Sequence, residues 1–424
     1  MTHTLSELMT NPSCMDDYDP NAMSVSNARQ FIRQHLSPVT STEMLTIRES
    51  LGRVLAANIV SPCNVPNYNN SAMDGFAFKF SEGVKIIKII GSAFAGKPFK
   101  GEVKAGECVK IMTGAMLPVG ADTVVMQEHV AVKSESITLL NSINRGANVR
   151  LAGEDLSIGQ IVLNIGHLMR PADLGLVASL GIPEVSAYKK LKVAFFSTGD
   201  ELISVGKPIL EGQIYDSNRY TIYGMLSRLG VEMADFGAVP DNPILLEAAL
   251  LKAADAYDVV ITSGGVSVGE ADYMKALLAK HGQVLFWKIN MKPGRPLAYG
   301  KISGSSQKAA HYFGLPGNPV STMVTFYQFV LEALITLMGA TPKPLPTFNV
   351  ECALPIKKAT GRTEFQRGVL FEEVGIWKVK PTSAQGSAIL SSMSQANCFI
   401  VLDEPDGNQV AGSIVKVQLL EGII

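Results

Sequence analysis

Between residues 190 and 338 the chain alternates continuous apolar runs with segments of helical period, and no other feature narrows the fold as much. LKVAFFS, VEMADFGAV, DVVITS and VLFWKI read as strands. SNRYTIYGMLSRLG, NPILLEAALLKAAD and ADYMKALLAKHG, lying between them, read as helices. Pro243 falls in a first turn and Gly230 ends the first of these helices, as helix stereochemistry favours. Strands apolar at every position are covered on both faces, and strands separated by helices pair in parallel. The prediction is a parallel sheet between two helical layers. Asn318, as a cap, and Pro319 then open a last long helix.

The flanks differ. Residues 24–37 place Ala28, Phe31, Ile32, His35 and Leu36 on one helical face, with Ser26 or Asn27 as its cap. Residues 43–60 carry a second apolar helix pattern through Leu51 and Val54 to Ile59. From Pro62, glycine and proline become frequent. Short alternating runs at 84–90, 107–112, 123–126 and 136–140 predict a small β domain over 62–158. Helical period returns at Pro171–Leu180. After TPKPLP, residues 347–424 read as a small β-barrel or sandwich without a helix, and no internal repeat is visible.

Composition excludes several classes. At roughly 150 residues per domain, 424 residues suggest about three domains. A net charge of −1 gives no field to draw the whole chain onto nucleic acid or an acidic membrane, so any anion site is local. Cys14, Cys63, Cys108, Cys352 and Cys398 are scattered and form no CxxC, which argues against a zinc site or disulfide framework and fits a reducing compartment. The N-terminus lacks a basic region followed by an apolar core, and no apolar run approaches the ~20 residues that span a bilayer. A cytoplasmic protein without a membrane or nucleic-acid partner is expected, its first polar residues fraying.

In open parallel sheets, ligands bind at the carboxyl ends of the strands. Here those ends lead into TGDE with Glu201, PDN with Asp241, SGGVSVGEAD with Gly264, Gly265, Ser267 and Asp272, and PGNP. Gly264 and Gly265 let backbone N–H groups approach a ligand, and the following helix start suits a phosphate. Read alone, the same string is equally a tight strand–helix turn, and it matches neither nucleotide fingerprint. Were Glu201, Asp241 and Asp272 to converge, mutual repulsion would protonate them or place a hard divalent cation such as Mg²⁺ among them. Three acids on a solvated rim are the equal alternative. WKINMKPGRP puts Lys288, Lys292 and Arg295 within a short turn that clamps oxyanions or is simply a solvated basic hairpin. Arg367 in EFQRG and Ser387 in AQGS are further donors, or surface residues. Asp74, in NNSAMDGFA, and Asp155, in LAGEDLSIGQ, read as turn residues, and Thr113 offers a hydroxyl.

Taken in order, PNYNNSAMDGFA, IMTGAMLPVGADTVVMQE, GEDLSIGQ, FSTGDEL, GQIYDSNR, VVITSGGVSVGEADY, FWKINMKPGRP, GLPGNPVS, FQRG and AQGS resemble the MoeA family, whose eukaryotic relatives include the gephyrin E domain. The resemblance implies a multidomain α/β fold. Its parts would be a discontinuous helical domain I (21–61 and 159–188), an inserted β domain II (62–158), a three-layer α/β molybdopterin-binding-like domain III (189–340) and a β-barrel domain IV (345–424). It implies a homodimer with domain II of one subunit facing domain III of the other. The implied reaction joins adenylylated molybdopterin and molybdate, with Mg²⁺ or a similar cation, giving molybdenum cofactor and AMP.

By motif match, Asp74, Thr113, Asp155, Glu201, Asp241 and Asp272 are the implied catalytic residues, the last three also holding the metal. Gly264, Gly265, Ser267, Lys288, Lys292, Arg295, Arg367 and Ser387 are implied to bind substrate and oxyanion. An adenylyltransferase is an implied partner that hands over the substrate. Two departures stand out: Asn69 where the family often has Asp, and Arg295 where it often has Lys. The rival readings are the adenylyltransferase itself, a receptor-clustering scaffold and a tungstate-specific paralogue.

Overall fold

The computed structural model describes residues 22–265, 271–306 and 308–420. The chain forms two compact units, one of residues 43–187 and the other of residues 1–42 with 188–424.

The larger unit is built on a mixed six-stranded sheet. Its order is Glu232–Val239, Lys192–Thr198, Val259–Ser263, Ala309–Leu315, Pro296–Ser303 and Gly282–Lys288. The first four strands are parallel, and Pro296–Ser303 pairs antiparallel with both of its neighbours, which corrects the all-parallel expectation. The reason is local: after Lys288 the chain turns back through the KPGR segment without a crossover helix, and a short connection permits only antiparallel return. In KVAFFST, successive side chains point to opposite faces, and both faces are buried. Val193 and Phe195 join Ile222, Leu226, Val320 and Val324 on one side. Ala194 and Phe196 join Leu246, Leu250, Met274 and Leu278 on the other.

The helix Val25–Gln34 also packs on this core, burying Val25, Ala28 and Ile32. Its cap is Ser24, whose hydroxyl accepts from Asn27 N–H at 3.2 Å, rather than Ser26 or Asn27. Asn318 takes the cap position of the last helix, though its side chain makes no capping hydrogen bond. From Pro319 to Leu337 this helix is long and apolar enough to cross a membrane, which the sequence reading did not anticipate. It is mostly buried, as a core helix is.

The C-terminal strands close into a barrel. Thr363–Glu373 pairs with Ile376–Pro381, followed by Thr347–Cys352, Ile414–Leu419 and Cys398–Leu402, which pairs back with Thr363–Glu373. Closure removes the exposed edges that a small sheet would present. A short helix, Ser391–Gln395, was not foreseen. Met291–Lys292 adds in parallel to Thr363–Glu364, so the α/β part and the barrel share backbone hydrogen bonding.

The smaller unit centres on another six-stranded sheet, in the order Thr123–Met126, Gly75–Phe78, Glu107–Ile111, Ile86–Ala93, Ser136–Leu139 and Val130–Lys133. Apolar clusters lie on both of its faces. The helix expected over 43–60 does not form. Residues 42–46 are a strand, Gly52 takes φ +72°, and Val54 and Leu55 bridge to Leu168 and Ala187. Leu51 is exposed while Val54 and Leu55 are buried, so the apolar spacing served strand pairing rather than a helix face.

Candidate active site

The parallel strands end level with one another. Thr198 pairs with Val239, Ser197 with Ser263, and Ser263 with Leu315, so their four outgoing loops share one edge. The glycines there are required. Gly264 adopts φ +90°, and a Cβ on it would stand 2.6 Å from the Thr198 carbonyl oxygen. Gly264 N–H donates to Leu315 O at 3.1 Å. The Thr198 hydroxyl lies under Gly264 and Gly265, buried and without a hydrogen-bond partner.

Two residues not singled out from sequence hold this edge together. Asn218 Nδ2 donates to Ser263 Oγ at 2.6 Å and to Gly317 O at 2.7 Å, tying the SGG and PGN loops. Asp216 caps the helix Ser217–Leu229 by accepting from Arg219 N–H at 3.2 Å, and accepts from Ser197 Oγ–H at 2.9 Å. Both Asp216 and Asn218 are buried. A polar Asp-Ser-Asn opening a helix was the signal for them, since Asp favours the N-cap.

The acidic loops meet at the same edge. Asp200 Oδ1 accepts from Asp241 N–H at 3.0 Å, joining TGDE to PDN. Glu201 is exposed and its carboxylate folds over Gly199, which has φ +147°. Asp272 is the second residue of the helix Ala271–His281, its side chain outside the described residues, as is all of Ser267. Among the described residues, no three His, Cys, Asp or Glu side chains converge on a metal cage. Carboxylates from two joined loops, Glu201 exposed and Asp241 half-buried, are oxygen ligands of the kind a hard cation that keeps most of its water takes.

Of the basic residues, Lys292 and Arg367 come together elsewhere in the same unit, while Lys288 and Arg295 do not line the same cavity. A cavity of about 350 Å³ is lined by Lys292, Pro293, Glu364, Gln366, Arg367 and Thr382, among others. Arg367 is 1% exposed. Its Nε donates to Ser392 Oγ at 3.0 Å, and a terminal nitrogen donates to the carbonyls of Ala384 at 3.2 Å and Gly386 at 3.0 Å. Burial without a carboxylate partner pulls its pKa down to about 10. Arg367 thus holds the AQGS loop while contributing a buried positive charge to the cavity wall.

Ser387, in that loop, accepts from Val320 N–H at 3.1 Å through its backbone carbonyl. Gly294 packs on the same helix, where a Cβ would stand 2.5 Å from Thr325 Oγ1. The helix opened by PGNP therefore connects the glycine edge to the basic cleft. Lys288 and Arg295 are half-buried on either side of this turn, and Ile289 N–H donates to the Arg295 carbonyl at 2.7 Å.

In the smaller unit, Asp74 and Thr113 come together. Asp74 Oδ1 accepts from the Thr113 N–H and hydroxyl, which hold its carboxyl below the usual range, the backbone donor most strongly. Asp155 is exposed on a separate turn, its N–H donating to Val65 O at 3.0 Å. Asn69 Oδ1 accepts from Ala152 N–H at 2.8 Å. An aspartate would accept the same bond, so this departure leaves the turn intact.

Comparisons agree along the chain. Family profiles match as "MoeA N-terminal region (domain I and II)" over residues 23–181, "Probable molybdopterin binding domain" over 194–336 and "MoeA C-terminal region (domain IV)" over 349–420. The chain is 45% identical to a molybdopterin molybdenumtransferase of Haemophilus influenzae, over 93% of this chain and 98% of that protein. It is 32% identical to one of Nostoc, over 90% of each. A solved structure of the molybdopterin biosynthesis MoeA protein from Pyrococcus horikoshii matches with a TM-score of 0.80 and 29% identity, over 94% of this chain and 100% of that one. The chain belongs to the MoeA family of molybdopterin molybdenumtransferases.

Proposed function

We propose that the chain acts in molybdenum cofactor biosynthesis, inserting molybdate into adenylylated molybdopterin and releasing AMP. The observation carrying this reading is Arg367. A cation 1% exposed, held by carbonyl and hydroxyl groups and by no carboxylate among the described residues, lies beside Lys292 in a cavity of about 350 Å³. Such a cleft suits a tetrahedral dianion, which needs charge and donors but no shape beyond its own size.

The roles divide by chemistry. Lys292, Arg367 and Ser387, with Lys288 and Arg295 flanking, bind molybdate. The backbone N–H groups at Gly264 and Gly265, with Ser267, bind the phosphates. Glu201 and Asp241, with Asp272, would hold a divalent cation, which would supply positive charge against the leaving phosphate. No protein nucleophile is needed, because the dithiol supplies the sulfur ligands. Molybdate and a dithiol give a trioxo-molybdenum dithiolate and water, the two thiol protons leaving on the lost oxo group, while a water attacks the adenylyl linkage and breaks its P–O–P bond to give AMP and the pterin phosphate. Asp74, Thr113 and Asp155 orient the pterin substrate. A homodimer, a cytoplasmic location and receipt of substrate from an adenylyltransferase belong to the same reading and rest on the family resemblance.

The test is AMP release from adenylylated molybdopterin by the purified chain. Release that rises with molybdate, and falls at least tenfold in Asp241→Asn, supports the proposal. Consumption of ATP without any molybdate dependence would transfer the chain to the adenylyltransferase reading.

A further inference from the structure

The cleft that would bind an anion also contains a buried carboxylate. Glu364 is 4% exposed and lines the same cavity as Lys292 and Arg367. It is the register partner of Lys292 where Met291–Lys292 joins the barrel strand. Its Oε1 stands 3.6 Å from Lys292 Nζ. Its Oε2 accepts from Gln366 Nε2 at 2.8 Å, and the same amide donates to the Lys357 carbonyl at 2.9 Å. The carboxylate is therefore anchored to the barrel wall. Lys292 is more than half exposed.

Two forces act at this point. A buried carboxylate is costly unless it is paired, so Glu364 draws Lys292 toward itself. At 3.6 Å the contact is an ion pair rather than a hydrogen bond, which leaves the ammonium donors available to a second ligand. A dianion entering the cleft competes with Glu364 for Lys292 and is also repelled by Glu364 directly.

We propose that Glu364 is a positioning residue of the anion cleft, holding Lys292 in place while weakening resident binding of tetrahedral dianions. Resting on the reading of this cleft as the molybdate site, it explains how a strongly cationic pocket keeps its anion exchangeable. The carboxylate lowers affinity for every dianion, so an abundant one such as sulfate does not lodge there.

Equilibrium dialysis of molybdate and sulfate against the full chain tests it, with Glu364→Gln, Glu364→Asp, Lys292→Gln and the double variant Lys292→Gln/Glu364→Gln. Glu364→Gln keeps the acceptor for Gln366 and should tighten both anions about twofold to fivefold, the size of a partly exposed ion pair. Glu364→Asp draws the carboxylate back by one methylene and should tighten them less, which keeps the test open if the glutamine variant does not fold. The gain should shrink to less than half in the Lys292→Gln background, and the molybdate KM should fall in Glu364→Gln without a rise in kcat. If Lys292→Gln weakens binding while both Glu364 variants leave it unchanged or weaker, the cleft stands and this role falls. A gain of full size in the Lys292→Gln background also overturns it, since Glu364 would then not act through Lys292. If Lys292→Gln does not alter anion binding, the molybdate-site reading itself fails.

Discussion

Asp74 Oδ1 accepts two hydrogen bonds from Thr113, one from its backbone N–H at 2.7 Å and one from its hydroxyl at 2.8 Å, joining positions 39 residues apart. Both donors favour the charged carboxylate, so Asp74 stays ionised to a lower pH than an ordinary aspartate. Thr113→Val removes the hydroxyl donor and leaves the backbone one. The Asp74 pKa should rise, and the acid limb of kcat/KM should move to higher pH in the variant. An unmoved acid limb would show that the ionised Asp74 has no part in the rate.

Gly264 tests the glycine edge. With φ +90° and a Cβ position 2.6 Å from the Thr198 carbonyl, Gly264→Ala has to displace the SGG loop. Displacement of reacting groups by about 1 Å costs on the order of a hundredfold in rate. Molybdate-dependent AMP release should fall by that order while the thermal midpoint shifts only a few degrees. Full activity in this variant would remove the loop from the site.

Arg367 has both a structural and a charge role. Arg367→Ala leaves the Ala384 and Gly386 carbonyls and the Ser392 hydroxyl without their donor. The loss should be about 2–4 kcal/mol, read from urea unfolding followed by barrel fluorescence at Trp377. Arg367→Lys keeps the charge but cannot span all three acceptors. It should recover part of the anion affinity and little of the stability.

Asp173 sets an acid limit on the smaller unit. Burial opposes its charge, but hydrogen bonds from Arg170 and His167 outweigh this and bring its pKa to about 2. A depressed carboxyl contributes stability that is complete above its ordinary value of 3.8 and is lost as pH falls toward about 2. Asp173→Asn should therefore be less stable than the parent at neutral pH, with the gap in thermal midpoint narrowing below pH 4. A gap independent of pH would contradict the assignment.

Much of this was legible in the sequence where the signal was local. Apolar strands between helices located the central sheet, and the residues after each strand located the loops at its carboxyl edge. The antiparallel pair escaped because PLAYGKIS, unlike DVVITS, follows a basic turn and has no helix before it. The misread 43–60 segment shows the limit of periodicity: Leu51 and Val54 stand at helical spacing, yet Val54 and Leu55 pair with Leu168 and Ala187, more than a hundred residues away. The same limit hid Glu364 and Asn218. Each sits inside a string that was noticed, EFQRG and GQIYDSNR, but its role depends on Lys292, Ser263 and Gly317, which only the fold brings near.

The central claim is that the Lys292–Pro293 turn and loops of the barrel build one anion cleft. Anomalous diffraction from crystals soaked in molybdate at the molybdenum absorption edge locates the bound metal directly. The account predicts a peak within contact distance of Lys292 and the Arg367–Ser387 loop. A molybdenum peak on an unrelated surface, with that cleft empty, would contradict it.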